Sequence, residues 1–139
     1  MKILIVEDDF VSRKVLKKYL SYYGDCDIAV DGKEAIVAFN SAHKDNKPYD
    51  LICLDIMMPE MDGQETLKET RRIEEEKGIR GLSRVKVIMT TVLDDRESIM
   101  EAFRSQCDGY ILKPIDRQKL MDLIESLELP QVESCRSNS

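Results

Sequence analysis

Five apolar runs, each five to seven residues long, recur along this chain, and each is followed by a stretch whose apolar residues fall at helical spacing. The runs are KILIV (Lys2 to Val6), CDIAV (Cys26 to Val30), DLICL (Asp50 to Leu54), VKVIMTT (Val85 to Thr91) and GYILK (Gly109 to Lys113). Their Val, Ile and Leu residues are continuous rather than alternating, the pattern of strands covered on both faces. The first helical stretch carries Val11, Val15, Leu16, Tyr19 and Leu20 and is closed by Gly24. The second carries Ala35, Ile36 and Phe39, with Asp31 placed to cap it. A third begins near Asp62-Gly63 and runs through Leu67 and Ile73 to Gly78; the last two span Asp94 to Ser105 and Asp116 to Leu127. Repeated βα units of this kind predict an α/β fold, a parallel sheet with right-handed crossovers and helices on both faces.

At 139 residues the chain suits one domain with a single core, expected over 1–128, and the polar stretch QVESCRSNS after Pro130 reads as a frayed tail within 129–139. The formal net charge is −6 and no Lys/Arg-rich stripe is present, which argues against nucleic-acid or anionic-lipid binding. No apolar stretch reaches membrane-spanning length, and MKILIVEDD turns acidic too early for a signal peptide, so a cytoplasmic protein with no membrane association is expected. The four cysteines, Cys26, Cys53, Cys107 and Cys135, form no C-x-x-C unit and are read as reduced and structural. The charged surface KETRRIEEEK of the third helix reads as a solvated face.

The chemistry gathers at the carboxyl ends of the strands. The first delivers Glu7, Asp8 and Asp9, the third Asp55, the fourth Thr90 and Thr91, the fifth Lys113 and Pro114. In an open α/β sheet ligands bind beyond those ends, where strand order reverses. Carboxylates brought close together there repel unless a cation intervenes, and an all-oxygen acidic set suits Mg²⁺. With a lysine ammonium and a threonine hydroxyl added, the set is suited to positioning and neutralising a phosphoryl group. Taken singly, each of these residues could be a turn former or a helix cap.

In order and spacing, ILIVEDD, DLICLDIMMPEMDG, VIMTT and GYILKPI resemble the response-regulator receiver domains of two-component signalling, over about Lys2 to Leu127. The resemblance implies a flavodoxin-like (βα)5 sandwich with strand order 2-1-3-4-5. By position it implies that Asp55 accepts the phosphoryl group and binds Mg²⁺ together with Asp8 and the Met57 backbone carbonyl, Glu7 reaching the ion through a water. Thr91 becomes the switch hydroxyl, Lys113 the partner of the phosphoryl oxygens, Tyr110 the aromatic that swings as Thr91 moves, and Lys113–Pro114 a cis peptide. Asp9 falls outside the metal shell.

The implied partners are a sensor histidine kinase or a histidine phosphotransfer protein, and a downstream protein target. The target would read the surface of the fourth helix, fifth strand and fifth helix. Two outputs stay open: a stand-alone switch that binds a target, or a relay intermediate that hands the phosphoryl group to a phosphotransfer domain. Arg96, Glu97, Glu101 and Arg104 on one helix face leave room for a weak or phosphorylation-dependent homodimer, a solvated face being the plainer reading. Two departures stand out: Val92 where the family often has a smaller residue, and apolar Met57 and Leu93 where the attacking water would be framed, which implies a long-lived phosphorylated form. An aspartyl-phosphate phosphatase would need an acid at Met57, and a flavin carrier would need a phosphate loop where EDDF stands. The expectation is therefore a phosphoacceptor signalling protein that acts as an enzyme only on itself.

Overall fold

All five apolar runs become strands and pair in parallel, in the order β2-β1-β3-β4-β5. In this computed structural model, which describes residues 1–127 and 129, strands and α-helices alternate, with one short 3-10 turn, Gly81–Ser83, before the fourth strand. They are β1 (Lys2–Val6), α1 (Phe10–Leu20), β2 (Asp25–Ala29), α2 (Gly32–Lys44), β3 (Leu51–Leu54), α3 (Gly63–Glu76), β4 (Lys86–Thr91), α4 (Arg96–Arg104), β5 (Gly109–Leu112) and α5 (Arg117–Ser126). This is the flavodoxin-like arrangement expected. The tail expected within 129–139 lies outside the described residues except for Leu129, and so does Cys135. Cys26, Cys53 and Cys107 are free thiols.

The period of two along each strand divides the core into two layers. Leu4, Val6, Ile52, Leu54, Val87 and Met89 turn toward α2, α3 and α4, where Phe39, Leu67 and Ala102 meet them. Ile3, Ile5, Leu51, Cys53 and Ile88 turn the other way, toward Leu16 and Leu20 of α1 and Leu120 and Ile124 of α5. Each such side chain contributes about 1.5–3 kcal/mol by leaving water. Central strands buried on both faces have no room for alternating polar residues, which is why their sequences are continuous hydrophobic runs.

An aspartate caps the N-terminus of each α-helix: Asp9, Asp31, Asp62, Asp95 and Asp116 each accept a hydrogen bond from a first-turn amide. Each cap is worth roughly 1 kcal/mol and fixes where the helix starts. At α3 the Glu65 side chain closes a reciprocal capping box.

Two sequence expectations are corrected. Gly24 does not close α1, which ends at Leu20 with Ser21 as its cap. Glycine is required there because a Cβ would lie 1.9 Å from the Met1 carbonyl oxygen, where the Asp25 amide bonds to that same oxygen. Nor is the α3 surface simply solvated. The side chains of Arg71 and Glu74 are only 9% and 2% exposed. Arg71 donates to Glu74, Asp108 and the carbonyls of Val85 and Gln106, while Glu74 accepts from the Val85 amide at 2.7 Å. The network ties α3 to the amino ends of β4 and β5, opposite the strand ends that carry the acids. Arg72, by contrast, behaves as expected, pairing with Glu69 and Glu76 in solvent. On α4, Glu101 pairs with Lys68 of α3 at 3.0 Å, whereas Arg96, Glu97 and Arg104 are exposed. Among the described residues no helix is long and apolar enough to cross a membrane.

Candidate active site

The chain runs from β1 to β2 on one side and returns through α2 to β3 on the other, so strand order reverses between β1 and β3. Val6 pairs with Leu54 across that boundary. One residue further, the Glu7 amide donates to the Ala29 carbonyl and the Asp55 amide to the Val6 carbonyl, each at 3.0 Å. Glu7 continues the Ile3-Ile5 side of β1 and Asp55 the Leu51-Cys53 side of β3. The two carboxylates therefore emerge together on the α1/α5 face, Glu7 fully buried and Asp55 4% exposed.

Lys113 reaches them from the end of β5, donating to Glu7 Oε1 at 2.5 Å and to Asp55 Oδ2 at 3.2 Å. Burial pushes the Glu7 carboxyl up to about 7; the hydrogen bond from Lys113 and the Asp9 amide pull it back, and the Asp55 charge adds to the rise. Burial also works against the Lys113 charge, but the two carboxylates outweigh it and hold that ammonium above its ordinary value. Asp8 is exposed beside the pair. Glu7, Asp8 and Asp55 each offer a carboxylate oxygen, and these oxygens lie within 4.8 Å of one another. Three carboxylates against one ammonium, with only oxygen donors and no sulfur or imidazole, make a donor set that fits a hard divalent cation.

Of the remaining predicted residues Met57 bonds to the cluster directly, while Thr91 and Tyr110 meet at Leu93. The Met57 amide donates to Asp55 Oδ1 at 3.2 Å, and its side chain is 55% exposed. Thr91 is buried at the end of β4 and its Oγ1 accepts from the Leu93 amide at 3.3 Å. The half-buried Tyr110 donates its hydroxyl to the Leu93 carbonyl at 2.7 Å, and burial, with Asp95 nearby, pushes its pKa up to about 12. Leu93 thus links Thr91 to Tyr110. The Lys113–Pro114 peptide is cis. Asp9 is the α1 cap, held ionised by the Ser12 amide, and makes no part of the acid cluster. Val92 is exposed.

Two site residues escaped the sequence reading. Arg13 donates to the carbonyls of Glu7 and Asp8 at 3.1 and 3.0 Å, fastening the acidic loop from α1. Its position one turn after the Asp9 cap was the available signal. Gly63 opens α3 directly against the Asp55 backbone, where a Cβ would lie 2.2 Å from the Asp55 carbonyl oxygen.

The family profile "Response regulator receiver domain" matches residues 3–125. The chain belongs to the response-regulator receiver family. As a receiver domain of two-component signalling it is 34% identical over 125 residues to "Hybrid signal transduction histidine kinase L" of Dictyostelium discoideum, covering 89% of this chain and 7% of that protein. It is 35% identical over 126 residues to "Probable transcriptional regulator ycf29" of Porphyra purpurea, covering 90% of this chain and 55% of that protein. The receiver thus matches about half or less of the length of these relatives. Among solved structures it resembles the "CheX-CheY-BeF3-Mg+2 complex from Borrelia burgdorferi", with TM-score 0.75, 26% identity, and 91% and 87% of the two chains covered. Receiver domains act as signalling phosphoacceptors, bind Mg²⁺ through an acidic cluster like that of Glu7, Asp8 and Asp55, and interact with histidine kinases and phosphotransfer proteins.

Proposed function

We propose that Asp55 is the phosphoacceptor of this receiver domain. The observation that carries this reading is the Lys113 ammonium held between the buried carboxylates of Glu7 and Asp55, with Asp8 alongside. Asp55 attacks the phosphorus of a partner's phosphohistidine; the new O–P bond forms as the P–N bond breaks, and the imidazole leaves with its electron pair. Asp8, Asp55 and the Met57 carbonyl would hold Mg²⁺, with Glu7 acting through a water. Held there, Mg²⁺ would supply charge neutralisation for the transferring oxygens.

The added charge draws Lys113 and Thr91 toward the phosphoryl group. Since the Leu93 backbone joins Thr91 to the Tyr110 hydroxyl, movement of Thr91 disturbs the hydrogen bond that holds Tyr110. The α4–β5–α5 surface shifts between two states and is read by a downstream protein target in the cytoplasm. The protein catalyses only its own phosphorylation and slow dephosphorylation. Apolar Met57 and Leu93 also support the relay reading, because a side chain unable to orient water leaves the phosphoryl group available for onward transfer to a phosphotransfer histidine.

Intact mass after incubation with Mg²⁺ and acetyl phosphate tests the proposal. One phosphoryl mass is expected on the wild type and none on Asp55→Asn; equal masses for the two would overturn it.

A further inference from the structure

Thr90 is fully buried, and its hydroxyl oxygen has no hydrogen-bond partner among the described residues. A hydroxyl taken out of water and left unpaired destabilises the state that contains it, while valine would fill the same shape at no such cost. Its neighbours on that face make the contrast plain, since Ile88, two residues earlier on β4, and Ile111, its partner on β5, are both apolar core residues.

The position is specific. Leu54 pairs with Met89, so the next residues along the two strands, Asp55 and Thr90, come side by side. On the other flank Thr90 pairs with Ile111, two residues before Lys113. By strand alternation the Thr90 side chain turns to the α1/α5 face, the face on which Glu7, Asp55 and Lys113 meet. Thr91 turns to the opposite layer with Met89. The two adjacent threonines therefore serve different faces, and only Thr90 shares that of the carboxylate.

We infer that Thr90 is a positioning residue for the phosphorylated state, an inference that rests on Asp55 being the phosphoacceptor. Phosphorylation leaves Asp55 one acyl carbonyl oxygen, which keeps a lone pair free beside any directed at a metal. Lys113, drawn from its resting contact with Asp55 Oδ2 toward a phosphoryl oxygen, no longer donates to that carbonyl. The Thr90 hydroxyl, rotating about χ1, donates to it. The hydroxyl is paired in the active form, whereas in the resting form it has no partner among the described residues. The residue thereby destabilises the resting state and stabilises the active one.

Thr90→Val and Thr90→Ser separate this from a packing role. Melting temperature is followed with Mg²⁺ alone and through a beryllofluoride titration in Mg²⁺. Thr90→Val is expected to melt above wild type in Mg²⁺ alone, and to bind beryllofluoride about fivefold more weakly, the equivalent of one ordinary hydrogen bond. Thr90→Ser, which keeps the O–H, is expected to bind it like wild type. Equal beryllofluoride affinity for Thr90→Val and wild type would overturn the inference, as would a lower melting temperature of Thr90→Val in Mg²⁺ alone. A wild type that ignores beryllofluoride would overturn the phosphoacceptor reading, and this inference with it.

Discussion

Lys113 and Glu7 stand 106 positions apart in the chain and share a 2.5 Å hydrogen bond, while the same ammonium makes a 3.2 Å contact with Asp55. One internal cation thus holds together two buried carboxylates that would otherwise repel. Replacing it leaves both uncompensated, and such a loss costs about 3–5 kcal/mol. Lys113→Met is therefore expected to lose stability of that order in EDTA and to regain part of it in Mg²⁺, as read by urea denaturation in each condition.

Glu7 gives a pH signature. Its folded-state pKa is raised to about 7 from 4.5. The unfolded chain sheds this proton first, so the contribution is fully present below about pH 4.5 and is lost as pH rises through 7. Stability of metal-free wild type relative to Glu7→Gln should accordingly fall across that window. A divalent cation competes with the proton, so the melting-temperature gain from Mg²⁺ should grow from pH 5 to pH 8 in wild type and stay flat in Glu7→Gln.

Arg71 offers a control remote from the strand ends. Arg71→Met takes the nearest cation from Glu74, whose side chain is 2% exposed, leaving it the Val85 amide and Arg84 at 3.7 Å, and should cost about 3 kcal/mol in a denaturant titration. Acetyl phosphate should still label the folded fraction of this variant.

Tyr110→Phe removes the hydroxyl that holds the Leu93 carbonyl at 2.7 Å. A net loss of about 1 kcal/mol is expected. Faster amide hydrogen exchange should be confined to the segment from Val92 to Asp95, and unchanged exchange there would count against the link between Tyr110 and the β4–α4 loop.

Met57→Asn and Leu93→Glu place polar groups where the wild type has apolar ones. Each is expected to shorten the lifetime of the phosphorylated form, the double variant most, when decay is followed by intact mass after removal of acetyl phosphate.

Much of this architecture was legible because it depends on local or periodic signals. The apolar runs marked the strands, and Asp31 and Asp62 marked helix starts. Carboxylates at Glu7 and Asp55 stood out because buried strands do not otherwise end on charge. What escaped depends on contacts between residues distant in sequence. The inward turn of Arg71 requires Asp108 and the Val85 carbonyl, both supplied by loops beyond α3. Gly24 looks like a helix terminator until Met1 is seen against it. Thr90 reads as a second copy of Thr91 until the strand pairing assigns the two to different layers.

Gly63 has a consequence for engineering. A Cβ there would come within 2.2 Å of the Asp55 carbonyl oxygen and 2.6 Å of Ile56 Cα, so the first turn of α3 forms a wall against the loop that carries Asp55. Grafting only the acids, the lysine and the threonines onto another α/β scaffold would leave Asp55 on a loop free to drift. A transplant faithful to this protein must bring the glycine and the helix it opens as one piece.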